Sequence, residues 1–129
     1  MNKRDLRLQA VLDKINEEVA DFENLPDFGP NDRGVYQDYP MHKVAIWGDI
    51  ESASVLLAYG ADIDARGEDE ETPLQRAIAG RKVDMIEYLL KQGADPDLKD
   101  MYGHSARSVG EVSNVEAIRA VFLRARKKS

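Results

Sequence analysis

Carboxylates are the side chains this sequence offers most freely for chemistry. Between Asp62 and Glu71 stand six acids (Asp62, Asp64, Glu68, Asp69, Glu70 and Glu71) against one Arg66. Two carboxyls can share acid and base roles, or hold a cation, when they are close and desolvated enough for their pKa values to separate. A polar, turn-forming stretch does neither, so it predicts no catalytic pair and no built metal site. Asp62 and Asp95 are expected to satisfy backbone donors within their own turns. The remaining candidates are few. The sequence has no phosphate-binding Gly loop, no Gly-x-Ser-x-Gly, no His-Glu-x-x-His and no calcium loop. It has no cysteine, which excludes disulfides, thiolate ligands and a thiol nucleophile. No enzyme, catalytic residue, metal or cofactor is therefore expected.

Recognition remains, and composition bounds it. A chain of 129 residues can form one domain with a real core. The net charge of −6 argues against a nucleic-acid binder, which needs phosphate-neutralising Lys and Arg. It favours a basic partner, although the same charge also serves solubility. The N-terminus lacks the apolar stretch of a signal peptide, and no apolar run approaches the ~18 residues of a membrane span. The expectation is a cytoplasmic protein with no membrane or nucleic-acid partner, monomeric when free.

The elements that must position any binding residues are set by a repeat. Gly60-Ala61-Asp62-Ile63-Asp64 returns 33 residues later as Gly93-Ala94-Asp95-Pro96-Asp97, and Pro40 and Pro73 share that offset. Such a period describes an architecture rather than a local motif. Lys3 to Asn24 reads as one amphipathic helix, with Leu8, Val11, Leu12, Ile15, Val19 and Phe22 on one face and acids crowding its second half. Leu25 to Tyr39 is broken by Pro26, Gly29, Pro30 and Gly34, yet Arg33-Gly34 precedes Arg66-Gly67 by 33 residues, which suggests one more hairpin. Then come paired helices. Pro40 to Trp47 is followed by Ile50 to Tyr59, with Gly60 closing the pair in the left-handed region. Thr72 caps the next helix, and Gly93 closes that unit. A weaker third copy runs from Gly103 through a helix to Asn114, then from Val115 to Arg124, with Ser105 in the capping position. A basic tail follows.

These residues resemble the ankyrin repeat. Its Thr-Pro-Leu-His-x-Ala, Leu-Leu and Gly-Ala-Asp pattern stands here as Thr72-Pro73-Leu74-Gln75-Arg76-Ala77, Leu89-Leu90 and Gly93-Ala94-Asp95. The preceding copy is Tyr39-Pro40-Met41-His42-Lys43-Val44-Ala45, Leu56-Leu57 and Gly60-Ala61-Asp62. The resemblance implies an all-α solenoid of stacked helix pairs with projecting β-hairpin fingers and an N-terminal capping helix. The units are residues 1–33 as the cap, 34–66 and 67–99 as full repeats, and 100–129 as a degenerate capping repeat with the tail. His42 falls where the family His braces neighbouring loops. Gln75 replaces that His, Glu70 replaces the hairpin Gly that Gly103 retains, and Arg81 stands where Gly48 matches.

The resemblance also implies a concave face of finger tips and inner helices that binds another protein. Its positions are Val35, Tyr36, Asp38, Ile46 and Trp47 in the first unit, with Arg33 just before; Glu68, Asp69, Glu71, Ala79 and Gly80 in the second, after Arg66; and Met101, Tyr102 and His104 in the third, after Lys99. Binding energy concentrates in a few Trp, Tyr and Arg residues. Trp47 has two readings, an exposed anchor or a side chain packed beneath the leading helix or loop. Small acidic ankyrin proteins of this kind are similar to bacterial immunity proteins that block a cognate toxin. That implies a basic toxin domain as partner, the alternative being a generic adaptor or inhibitor role and, more distantly, a carboxylate-dependent enzyme or cation-binding protein.

Overall fold

The computed structural model describes residues 5–19, 22 and 28–128, with 125–128 as backbone alone. Among these residues seven α-helices follow one another: α1 Leu6–Glu18, α2 Pro40–Trp47, α3 Ile50–Ala58, α4 Pro73–Ala79, α5 Val83–Lys91, α6 Ala106–Gly110 and α7 Glu116–Lys128. The inner helices stack as α2 on α4 and α4 on α6, and each pairs with its own outer helix, α3, α5 or α7. α1 lies against both α2 and α3 and covers the first end of the stack. The result is a helical repeat solenoid.

α1 is shorter than its apolar spacing predicts. Asp5 caps it by accepting from the Arg7 amide at 2.7 Å, and Leu8, Val11, Leu12 and Ile15 are buried. The helix stops at Glu18, where Val19 is already extended, and its last turn carries no basic residue. Glu17 and Glu18 there face the negative end of the helix dipole, which disfavours extension. Phe22 is buried all the same, stacked on Phe28 with ring centroids 4.6 Å apart. The remainder of the expected helix, apart from Val19 and Phe22, lies outside the described residues.

The start of each inner helix is fixed by one device. Thr72 Oγ1 accepts from the Gln75 amide at 3.3 Å while the Thr72 amide donates to Gln75 Oε1 at 2.9 Å. Ser105 and Ser108 make the same reciprocal pair at 3.1 and 2.9 Å. The Tyr39 amide donates to His42 Nδ1 at 3.1 Å. Each pair satisfies donors that a helix leaves open at its first turn. Asp49 caps α3 by accepting from the Ser52 amide and is joined by Lys14 of α1 at 2.6 Å, which ties the leading helix to the first repeat. At the far end α7 runs on through the basic tail instead of stopping near Arg124.

One core threads every unit. Met41, Val44 and Ala45 of α2, Leu56 of α3, Leu74 and Ala77 of α4, Met85, Ile86 and Leu89 of α5, and Ile118 and Phe122 of α7 are all buried within it. Gly110 ends α6 directly against the Phe122 ring, where a Cβ would collide. Burial of this kind is the main force holding the stack together.

Candidate protein-binding surface

Three fingers project from the stack, and their closing bonds keep the 33-residue register. The Gly34 amide donates to the Asp38 carbonyl at 2.8 Å, Gly67 to Glu71 at 2.9 Å, and Asp100 to His104 at 2.8 Å. The hairpin expected at Arg33-Gly34 is therefore the first finger. Strand character is slight. Among the described residues the one β-bridge of the fingers joins Lys99 and Ser105.

Neighbouring fingers are bonded by repeating contacts. His42 Nδ1 accepts from Tyr39, so Nε2 carries the hydrogen and donates to the Glu71 carbonyl at 2.8 Å. Gln75, 33 residues on, donates from Nε2 to the His104 carbonyl at 3.1 Å and to Asp100 Oδ2 at 3.2 Å. An amide thus does the bracing work of the imidazole. Burial pushes the His42 pKa below its ordinary value and keeps the ring neutral. A second ladder runs from the Arg33 guanidinium to the Arg66 carbonyl at 3.4 Å and from Arg66 to the Lys99 carbonyl at 2.8 Å. A third has Asn31 Oδ1 accepting from the Asp62 amide and Asp64 Oδ1 from the Asp95 amide, at 2.9 and 3.0 Å. Asp62 and Asp95 also accept from the amides two residues ahead.

Two candidate positions are scaffold by these bonds. Arg33 spends its guanidinium on carbonyls, including Gln37 at 2.8 Å, and lies over the Tyr39 ring. Arg66 does likewise with Lys99, and Glu70 approaches it at 3.9 Å. Asp38 requires a correction. It is 1% exposed rather than presented to a partner. Its carboxylate receives Arg76 at 2.9 and 3.0 Å, Lys43 at 3.3 Å and the Glu68 amide at 3.0 Å. Burial opposes its ionisation, but the Glu68 amide and the Arg76 charge outweigh it and hold the carboxyl below the usual range. Arg76 also binds Glu71 at 2.8 Å, which leaves Glu71 half-buried.

Trp47 and Ile46 are half-buried, and Trp47 packs against the core, closer to the second of its two readings. Gly80 lies on the Ile46 carbonyl, where no Cβ fits. Ala79 is exposed on α4, and Lys99 is exposed at the base of the third finger.

The remaining candidates lie at the tips. Val35 and Tyr36 on the first finger and Met101 and Tyr102 on the third are exposed, the tyrosines by 62% and 66%. Between them in register stand Glu68 and Asp69, also exposed, and His104 is exposed below the third tip. A bond from the Met101 amide to the Asp69 carbonyl at 2.9 Å joins the second and third tips. Gln37, Glu70 and Gly103 occupy one register position and share a left-handed backbone, with φ of 78°, 62° and 84°. The Gly is therefore replaced in two fingers with the same backbone hand at that position, and of the two the second has an altered turn. The second finger adds a further left-handed residue, Asp69 at φ 59°, within the single 3-10 turn Glu68–Glu70. Non-Gly residues adopt this region at a cost of about 1–2 kcal/mol each. Glu70 was missing from the candidate positions; its replacement of Gly was the signal. Also missing was a groove of about 160 Å³ between α4, α6 and the fingers, lined by Ile78, Val109, Gln75 and Asp100 as well as Glu71, Ala79 and His104. Among the described residues no group of three or more His, Cys, Asp or Glu is placed to hold a metal ion, and no helix is long and apolar enough to cross a membrane.

The family model for ankyrin repeats (3 copies) matches residues 9–100. The chain belongs to the ankyrin repeat family. Ankyrin repeats are generally protein–protein interaction modules and typically non-enzymatic. Similar proteins include the potassium channel AKT1 of Arabidopsis thaliana, 29% identical over 75 residues, or 58% of this chain and 9% of the channel. Protein lin-12 of Caenorhabditis elegans is 41% identical over 59 residues, 46% of this chain and 4% of lin-12. Protein phosphatase 1 regulatory subunit 27 of Mus musculus is 39% identical over 57 residues, 44% of this chain and 37% of that subunit. In each, the ankyrin match covers well under two thirds of the relative's length.

Proposed function

We propose that this ankyrin chain is a non-enzymatic recognition module that holds a basic partner protein against its finger tips and inner-helix groove. One observation carries the reading. Exposed Val35, Tyr36, Met101 and Tyr102 flank exposed Glu68, Asp69 and Glu70 on fingers already bonded to one another. Aromatic tips supply contact area with little side-chain entropy to lose, and a preformed frame lowers the ordering cost of association. The acidic middle finger selects against acidic surfaces and speeds encounter with basic ones. A regulatory subunit among the similar proteins accords with such a role.

The narrower role we favour is that of an immunity protein that blocks a basic toxin domain, supported by the acidic tip and the net charge of −6. A generic adaptor or inhibitor would use the same surface. Affinity capture from the native cell separates these readings. A basic protein retained by the wild type and lost with Tyr36→Ala/Tyr102→Ala or Glu68→Lys/Asp69→Lys is expected. Equal retention by folded variants sinks the surface. A captured protein that is not toxic when expressed alone removes the immunity role and leaves the wider reading standing.

A further inference from the structure

We infer that the groove between α4, α6 and the second and third fingers receives one arginine side chain of the partner protein. The inference rests on the reading of this face as the partner surface and names what enters it.

Size comes first. The groove's 160 Å³ is below the ~300–1,000 Å³ of a small-molecule site and close to the ~150 Å³ that admits a benzene-sized group, so it suits a single side chain. Its chemistry is two-sided. Ile78, Ala79 and Val109 give it apolar surface, while Glu71 and Asp100 bring carboxylates from adjacent fingers, with His104 beside them. Ala79 and Val109 are exposed and offer apolar surface to be covered.

Charge decides among occupants. Asp100 accepts from the Tyr102 and His104 amides and from Gln75, all neutral donors, so hydrogen bonds hold its negative charge without cancelling it. Glu71 is already paired with Arg76, which it shares with Asp38, so Asp100 is the groove carboxylate left for a further cation. A leucine there would strip water from the Asp100 carboxylate and return no hydrogen bond. An acidic side chain would meet like charge. An arginine lays its methylene stem on Ile78 and Val109 and turns its guanidinium to Asp100, where a planar, weakly hydrated cation pairs with a carboxylate better than an ammonium does. Glu68, Asp69 and Glu70 extend the same sign of charge toward the tips and steer the approach.

The probes are N-acetyl-arginine amide and N-acetyl-leucine amide, titrated into the ¹⁵N-labelled full chain at low ionic strength. The arginine probe is expected to shift the amides of Ile78, Ala79, His104 and Val109, to saturate in the millimolar range, and to weaken as salt rises. The leucine probe should bind roughly tenfold more weakly. Ala79→Leu, at an exposed α4 position, fills the groove and should abolish these shifts with the melting temperature unchanged. Equal binding of both probes, no shifts, or shifts confined to Glu68–Glu70 overturns the inference. If the groove fails while Tyr36→Ala/Tyr102→Ala still abolishes partner capture, the recognition surface survives without its arginine. If the groove binds arginine while capture is unaffected by Ala79→Leu and by the tip variants, the proposed function fails instead.

Discussion

Asp38 faces Arg76 across the boundary between the first two repeats, each carboxylate oxygen on one terminal guanidinium nitrogen at 2.9 and 3.0 Å. The pair is shielded from water, with the Asp38 side chain 2% and the Arg76 side chain 14% exposed. It therefore acts as a joint between units.

Breaking that joint from one side leaves a buried charge short of its partner. Asp38→Ala should lower unfolding free energy by about 3 kcal/mol, the lower part of the range for a broken buried pair, because Glu71 still serves Arg76. Urea denaturation followed by circular dichroism reads this loss. A change below about 0.5 kcal/mol would show that the joint is dispensable.

His42 gives the fold a pH dependence with a definite sign. Burial lowers its folded-state pKa from the ordinary 6.5. As pH falls through that value the unfolded chain takes up a proton that the folded ring refuses, so stability drops, with a limiting slope of about 1.4 kcal/mol per pH unit. Above it the contribution is constant. His42→Gln copies the native arrangement at Gln75 and should keep the bond to the Glu71 carbonyl while flattening the stability profile between the folded pKa and 6.5. Denaturation midpoints collected across that range decide it.

Glu70→Gly separates stability from recognition. Glycine removes left-handed strain at φ 62°, offset in part by the freedom it adds to the unfolded chain, so a net gain of about 0.5–1 kcal/mol is expected. The same change deletes a tip carboxylate and should weaken a basic partner. A variant that is both less stable and equally well bound contradicts both halves.

Trp47→Ala is a packing test before it is a binding test. The indole is half-buried against the core, so its loss should destabilise by about 2 kcal/mol, less than for a fully buried aromatic. Any fall in partner affinity with this variant needs correction for the unfolded fraction. No measurable change in denaturation midpoint would return Trp47 to the exposed face.

Much of the scaffold was legible because the repeat carries its own punctuation. Pro40, Thr72, Gly60 and Gly93 mark helix starts and ends by backbone chemistry that does not depend on neighbours, and α2 fills the residues its signals delimit. What sequence could not supply was the aim of individual side chains. Asp38 shares its register position with half-buried Glu71 and exposed His104, and it is buried because Arg76, 38 residues away, reaches it. Arg33 and Arg66 look like cations offered to a partner until the carbonyls one repeat later claim them. The end of α1 was overread because apolar spacing continued to Phe22, which is buried without continuing the helix that ends at Glu18.

The third ladder ends at Asp97, the counterpart of Asn31 and Asp64, which among the described residues turns to Arg107 at 2.7 Å in place of an amide from a following repeat. A second copy of residues 67–99 inserted after Lys99 would present a new Asp95 amide to it, a Glu71 carbonyl to Gln75 and a fresh inner helix to α4. The array is thus modular in the manufacturing sense. It can grow by whole cassettes, each bringing another acidic fingertip, so the length of the grip on a partner becomes a quantity that can be dialled.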